Sequence, residues 1–216
     1  YIDNAIWRSA TPTEAAKITA AAGAATSDIG GDNEYGKMKY WNGVIDRLLL
    51  NANSSDANEI HNGKVKITGN AVFADGKAVE DELYKMWKAL PVKLRNSPGL
   101  KFVMDWTSWD AYDQYLTSKD GKYVDNTTVN VRTFKGKRIV PLTGLPDNTI
   151  ILAKFTDGRD SNLWMSVDVA DDINVIQVEK KQANSELWFF KALMKVDVNV
   201  VKPGEIVAHL PYNYTA

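Results

Sequence analysis

The side chains able to do chemistry are few and scattered. Histidine occurs twice, at His61 and His209, each beside turn signals. Neither has a second histidine at ligand spacing, so both read as structural or solvated. Asp168, Asp171 and Asp172 gather around Val169-Ala170. A calcium loop sets its oxygen ligands at fixed offsets and takes a glycine at the sharp turn. That glycine is missing, so a solvated turn between strands is the better reading, and Asp157-Gly158-Arg159-Asp160 likewise reads as a turn. Gly30-Gly31-Asp32 lacks the lysine and the second-glycine spacing of a phosphate loop. Gly-x-Ser-x-Gly does not occur, and a Ser/His/Asp triad could be assembled only by free choice among distant residues. Cysteine is absent, which excludes a disulfide framework, a thiolate metal site and a thiol nucleophile. Asn126-Thr127-Thr128 matches a glycosylation acceptor with no secretion signal beside it. No catalytic, cofactor-binding or metal residue is assigned.

The aromatic groups Tyr40-Trp41, Trp106 with Trp109, and Trp188-Phe189-Phe190 admit two uses. Exposed rings make a platform for a sugar or a base; buried rings fill a core or a subunit contact. Trp41 and Trp87 sit on helical apolar stripes and Trp188 on an apolar strand parity, which favours core. The totals agree with a packing role. A chain of 216 residues forms one large domain or two small ones and buries about 70% of its extended surface. Its net charge of −1 offers no overall basic field for nucleic acid. No stretch is long and apolar enough to span a bilayer, and no signal-peptide pattern is present. Because it starts at Tyr1, the chain reads as a fragment or a processed product.

The elements that must position these residues are legible from periodicity. Trp188, Phe190, Ala192, Met194, Val196, Val198 and Val200 alternate with a more polar parity, which predicts one strand of roughly 40 Å. Ile173 to Lys180 predicts a second strand, joined to the first through Lys181-Gln182-Ala183-Asn184 as an antiparallel hairpin. Pro203-Gly204 ends the long strand, and Ile206-Val207-Ala208 is a short final apolar run. Upstream, Thr11-Pro12-Thr13-Glu14 reads as a capped helix start, with the helix running through the alanines to Gly23. A second helix is predicted from Glu34 to Leu50, then a polar loop from Asn51 to Asn58 and a weak strand at Lys64–Thr68. Val79, Leu83, Met86, Trp87 and Leu90 define a helix that Pro91 stops. Leu100 to Met104 is a short buried strand, and Thr107-Ser108-Trp109-Asp110 a capping box opening another helix. Strands follow at 127–134, 138–140 and 149–153, with turns at Gly136 and at Leu145–Asn148. Helices first, strands later, is an α+β order.

The order of segments resembles the major capsid proteins of tailed phages and prophages, with the HK97-type coat fold that encapsulins share. Lys39-Tyr40-Trp41-Asn42-Gly43-Val44-Ile45 is similar to the aromatic-x-Gly-aliphatic step that follows the spine helix in prophage coat proteins. The helix at 79–90, then Phe102-Val103-Met104-Asp105 and a helix ending at Tyr115-Leu116, resembles the helix–strand–helix of the axial domain. Phe134-Lys135-Gly136-Lys137-Arg138-Ile139-Val140-Pro141 with the Leu145–Ala153 segment, and Ser161-Asn162-Leu163-Trp164 with Val167-Asp168, complete the likeness from about Tyr40 to Val207.

The resemblance implies an axial α/β domain at 56–161. An elongated peripheral domain, a long β-hairpin plus helix, would be built from 1–55 and 162–216. Family members carry an N-terminal arm and an extended loop, expected here to be missing or shortened, as in a truncated or domesticated prophage copy. It further implies a structural protein without catalysis or cofactor, self-assembling through hexamers and pentamers into an icosahedral shell that encloses DNA. Its partners would be other copies, with scaffolding and portal proteins, and neither a membrane nor sequence-specific nucleic acid. Its place would be the virion capsid, after the cytoplasm of the bacterial host. An encapsulin-like nanocompartment shell and a carbohydrate-binding or hydrolytic α+β protein are the alternatives.

Overall fold

The computed structural model describes residues 6–8, 10–11, 16–23, 42–55, 63–119, 132–167, 176–180, 186–192 and 196–214. In chain order its elements are β1 Ile18–Ala20, α1 Val44–Asn53, β2 Lys66–Gly69, α2 Gly76–Ala89, β3 Leu100–Asp105, α3 Trp106–Lys119, β4 Thr133–Phe134, β5 Lys137–Leu142 and β6 Ile150–Lys154. There follow β7 Leu163–Val167, β8 Ile176–Lys180, β9 Trp188–Ala192, β10 Val196–Val200, β11 Val207–His209 and β12 Tyr212–Tyr214. The fold is α+β. Six strands form a mixed sheet in the order β2-β11-β6-β3-β5-β4, and three two-stranded pairs join β1 to β12, β7 to β10 and β8 to β9.

The sheet is covered on both faces, and its sequence shows it. Along β6, Ile150 and Leu152 face one cluster while Ile151 and Ala153 face the other. In β3, Leu100, Phe102 and Met104 join the first cluster and Val103 the second. Strands buried on both faces read as continuous apolar runs, as these do. Val79, Leu83 and Met86 of α2 and Tyr112 of α3 pack on one face; Ile45, Leu48 and Leu49 of α1 pack on the other, with Val198 of β10.

Local chemistry sets the ends of these elements. Asp75 caps α2, its Oδ1 accepting from the Ala78 amide at 2.8 Å, and Leu90 stands in extended backbone before Pro91. Lys135 and Gly136 both take left-handed backbone, with φ of 50° and 75°, as the two-residue turn between β4 and β5 requires. The cap of α3 is not the Thr107 box read from sequence. Asp105 Oδ2 accepts from the Ser108 amide at 2.9 Å and its Oδ1 from the Thr149 amide at 3.0 Å. Burial pushes the Asp105 carboxyl above the usual carboxylate range, and these amide bonds pull against it.

Two sequence expectations are corrected here. The alanine helix predicted from Thr11 to Gly23 is not formed over its described part, because Ile18–Ala20 pairs antiparallel with β12 instead. Alanine propensity yields to backbone pairing and to the packing of Ile18 and Ala20 on the core. Of the helix predicted from Glu34 to Leu50, residues 34–41 lie outside the described residues; the described helix starts at Val44, after an extended Gly43, and runs on to Asn53. It takes the first part of the expected 51–58 loop, and Asn51 Oδ1 there accepts from the Val65 amide at 2.9 Å.

Candidate functional site

Asn162 anchors the β7–β10 pair to the sheet. It is buried; its Oδ1 accepts from the Lys154 amide at 2.6 Å and its backbone carbonyl from Val201 at 2.7 Å. Its amide donates to Glu205 Oε2 at 3.2 Å, which also pairs with Lys154 Nζ at 2.8 Å. Burial would raise the Glu205 carboxyl, but Lys154 and Asn162 outweigh it and hold it low. From this anchor β7 pairs with β10 in the register Leu163↔Val200 to Val167↔Val196. Leu163, Val198 and Val200 pack on the core, whereas Trp164 and Met165 stand exposed beside an open groove of about 300 Å³ lined by Thr156, Gly158 and Arg159.

β8 and β9 pair antiparallel, Lys180 opposite Trp188 and Glu179 opposite Phe189. The hairpin read from sequence is therefore formed. The single long strand resolves into two described halves with different partners, β9 on β8 and β10 on β7, while residues 193–195 lie outside the described residues. This is why Trp188 is not core. It is 55% exposed, Phe189 54% and Leu187 63%, with Val178 also exposed. Adjacent strand residues point to opposite faces, so Trp188 and Val178 share one face of the ribbon, while Phe189 stands beside Glu179 on the other. Lys180 Nζ sits 5.4 Å from the centre of the Trp188 ring. Among the described residues β8 and β9 pair only with each other, which leaves two free edges.

The remaining sequence candidates fall elsewhere. His61, Gly30-Gly31-Asp32, Tyr40-Trp41, Asn126, Asp168, Asp171 and Asp172 lie outside the described residues. Asp157–Asp160 is a turn. Trp87 is half-buried against the α2 cluster with the Arg95 guanidinium over its ring. Trp106 is half exposed and meets Trp109 edge-on at 68°, so the pair is no flat platform. Sequence reasoning missed Trp164, Met165 and Leu187, whose apolar type gave no sign of exposure. Among the described residues no group of three or more His, Asp or Glu could hold a metal, and no helix is long and apolar enough to cross a membrane.

His209 ends β11 just before the bend at Pro211 and is structural rather than solvated: it is buried, its ring stacked on Phe73 at 4.5 Å. Nε2 lies 2.8 Å from the Ala71 carbonyl and Nδ1 3.1 Å from Glu82 Oε1. Thr68 Oγ1 donates to the same oxygen at 2.5 Å, and Lys85 Nζ to Oε2 at 3.0 Å. Burial alone would raise the Glu82 carboxyl; contacts from His209, Thr68 and Lys85 outweigh it and hold it at about 2, against 4.5. This stabilises the fold above pH 4.5, and the contribution is lost as pH falls through 2. The displacement is worth about 3 kcal/mol. Glu82→Gln is expected to be less stable than the parent at pH 7, the gap closing towards pH 2. Urea midpoints of both across that range check it, and a constant gap would refute it.

No family model matches the chain, and no curated protein matches it. Among solved structures, a chain of Mycobacterium phage Che8 is similar at 16% identity and a TM-score of 0.54, over 77% of this chain and 56% of that one. A virus-like particle from Pyrococcus furiosus is similar at 12% identity and a TM-score of 0.41, over 76% and 60%. The satellite phage P4 procapsid including size determination (Sid) protein is similar at 11% identity and a TM-score of 0.44, over 78% and 50%. The chain thus spans 50–60% of the length of these structures, and it shares its fold with the Che8 chain.

Proposed function

We propose that the chain is a shell subunit: the major capsid protein of a tailed phage or prophage, assembling through capsomers into an icosahedral shell around DNA. The carrying observation is the β8–β9 ribbon, which exposes Trp188 and Val178 on one face and Phe189 on the other and, among the described residues, has no partner at either edge. A lone two-stranded ribbon is marginal in water, and exposed apolar surface of this kind marks an interface. The fold shared with the Che8 chain supports the reading. The subunit's work is then geometric. Contacts of about 1,200–2,000 Å² each, repeated head to tail, close into rings and add up to a stable wall. Residues 56–161 form the axial domain in this reading; 1–55 with 162–216 form the peripheral one. Copies of the chain are its principal partners and the virion its place.

Light scattering of the purified chain, with negative-stain images, tests the proposal. Rings, sheets or closed shells are the expected outcome. A strict monomer over a wide range of concentration would overturn it.

A further inference from the structure

Charge is sorted along α2. No acidic residue occurs between Glu82 and Asp105, nor from Asn126 to Pro146. The structure brings these two stretches together at one end. Lys137 Nζ donates to the Ser97 carbonyl at 3.1 Å, Lys135 Nζ stands 5.1 Å from the Tyr84 ring centre, and Arg95 covers Trp87. Lys88 and Lys93 extend the patch, and none of these five cations has a carboxylate partner among the described residues. At the other end Gly76 is packed against Ala111, Phe73 is bound to Asn148, and Thr107 donates to Asp147 at 3.0 Å. That gathers Asp75, Asp110 and Asp147; Asp75 has Lys77 nearby, whereas Asp110 and Asp147 form no salt bridge among the described residues. The 14 residues of α2 separate the two ends by about 20 Å.

Capping accounts for part of this. Asp75 caps α2, and cations suit a helix C-terminus. It does not account for Asp110, Asp147, Lys93 or Lys135. Nor is the separation useful within one molecule, because about 20 Å exceeds the screening length of about 8 Å at physiological salt. Each end also carries an exposed apolar residue, Trp106 (49% exposed) among the carboxylates and Val92 (74% exposed) among the cations. An apolar anchor within a charged rim is the anatomy of a recognition surface.

We propose that copies of the chain stack head to tail through these ends, the Trp106–Asp110–Asp147 end of one seated on the Val92–Lys88–Lys93 end of the next. The proposal rests on the shell-subunit reading and adds the surfaces that select the neighbour. Opposite ends meeting in sequence generate a ring where the rotation closes, and complementary charge sets register and encounter rate.

A charge swap tests it on the full chain by sedimentation at low salt. Lys88→Glu/Lys93→Glu and Asp110→Lys/Asp147→Lys are each expected to weaken self-association at least tenfold. An equimolar mixture should restore it, since every interface can then pair opposite charges. Shells that form undiminished from either variant, or a mixture no better than its components, overturn the proposal and leave the shell-subunit reading standing. No association by the parent chain overturns both. If the lysine variant associates normally but no longer retains a short DNA duplex, the basic end serves a phosphate backbone and the proposal also fails.

Discussion

Trp188→Ser/Phe189→Ser leaves a folded chain that no longer assembles. The expectation rests on where the two rings sit. Both are more than half exposed and belong to neither core cluster, so their loss opens no cavity in either. Exposed substitutions of this kind shift stability by about 0.5 kcal/mol at most. At an interface the same rings count differently. Aromatic anchors in a buried contact cost about 2 kcal/mol or more apiece when truncated. Two of them weaken each contact by about 4 kcal/mol, roughly a thousandfold in Kd. A shell repeats the contact at every subunit, so assembly fails at concentrations where the parent is complete. Light scattering reads the loss, and the unfolding midpoint in urea reads the retained fold. Undiminished shells would remove the ribbon from the assembly mechanism. An unfolded variant would mean the rings are internal support instead.

What could be read from sequence divides along the same line. The helix ended by Pro91 and the buried run from Leu100 were legible because local period and burial agree there: Val79, Leu83 and Met86 share one face, and the face meets the sheet. The parity of Trp188 to Val200 was equally regular, yet among its described side chains Val198 and Val200 meet the core while Trp188 stands exposed. Alternation marks a side of a strand; it does not say what lies against that side. Ile18–Ala20 failed for a related reason, since its partner β12 lies nearly 200 residues on and no local signal announces it. His209 read only as structural or solvated, beside the turn signal of Pro211. Its burial follows from β2 and β6 closing on both sides of β11, a tertiary fact. The charge sorting along α2 was present as two acid-free stretches, but their meeting depends on the β4–β5 turn folding back to Ser97.

Gly76→Ala is expected to destabilise the fold through the contacts of one added methyl group. Gly76 opens α2 at a buried point where the helix crosses α3. A Cβ there would stand 2.1 Å from the Ala111 carbonyl oxygen and 2.5 Å from Tyr115 Cβ. Neither neighbour is a flexible side-chain tip, so relief requires the two helices to part by about 1 Å, at odds with a close-packed interior. Overpacking of this kind costs about 1–3 kcal/mol and sometimes more. Alanine's better helix propensity returns about 1 kcal/mol in a helix interior and less at a first position. The contact wins, and separation also loosens Val79 and Tyr112 in the cluster below. A net loss of about 2 kcal/mol lowers Tm by about 4–8 °C in a chain of this size. Two other glycines isolate the cause. Gly158 has open space and ordinary backbone, so Gly158→Ala should be neutral. Gly136 has open space but a φ of +75°, so its alanine variant should lose only the left-handed backbone penalty of about 1 kcal/mol. The order Gly76, Gly136, Gly158 in thermal unfolding supports the helix crossing as the tight point. A Gly76→Ala chain as stable as the Gly158 variant would show that α2 and α3 can part without cost, and that their contact does not fix the helix layer on the sheet.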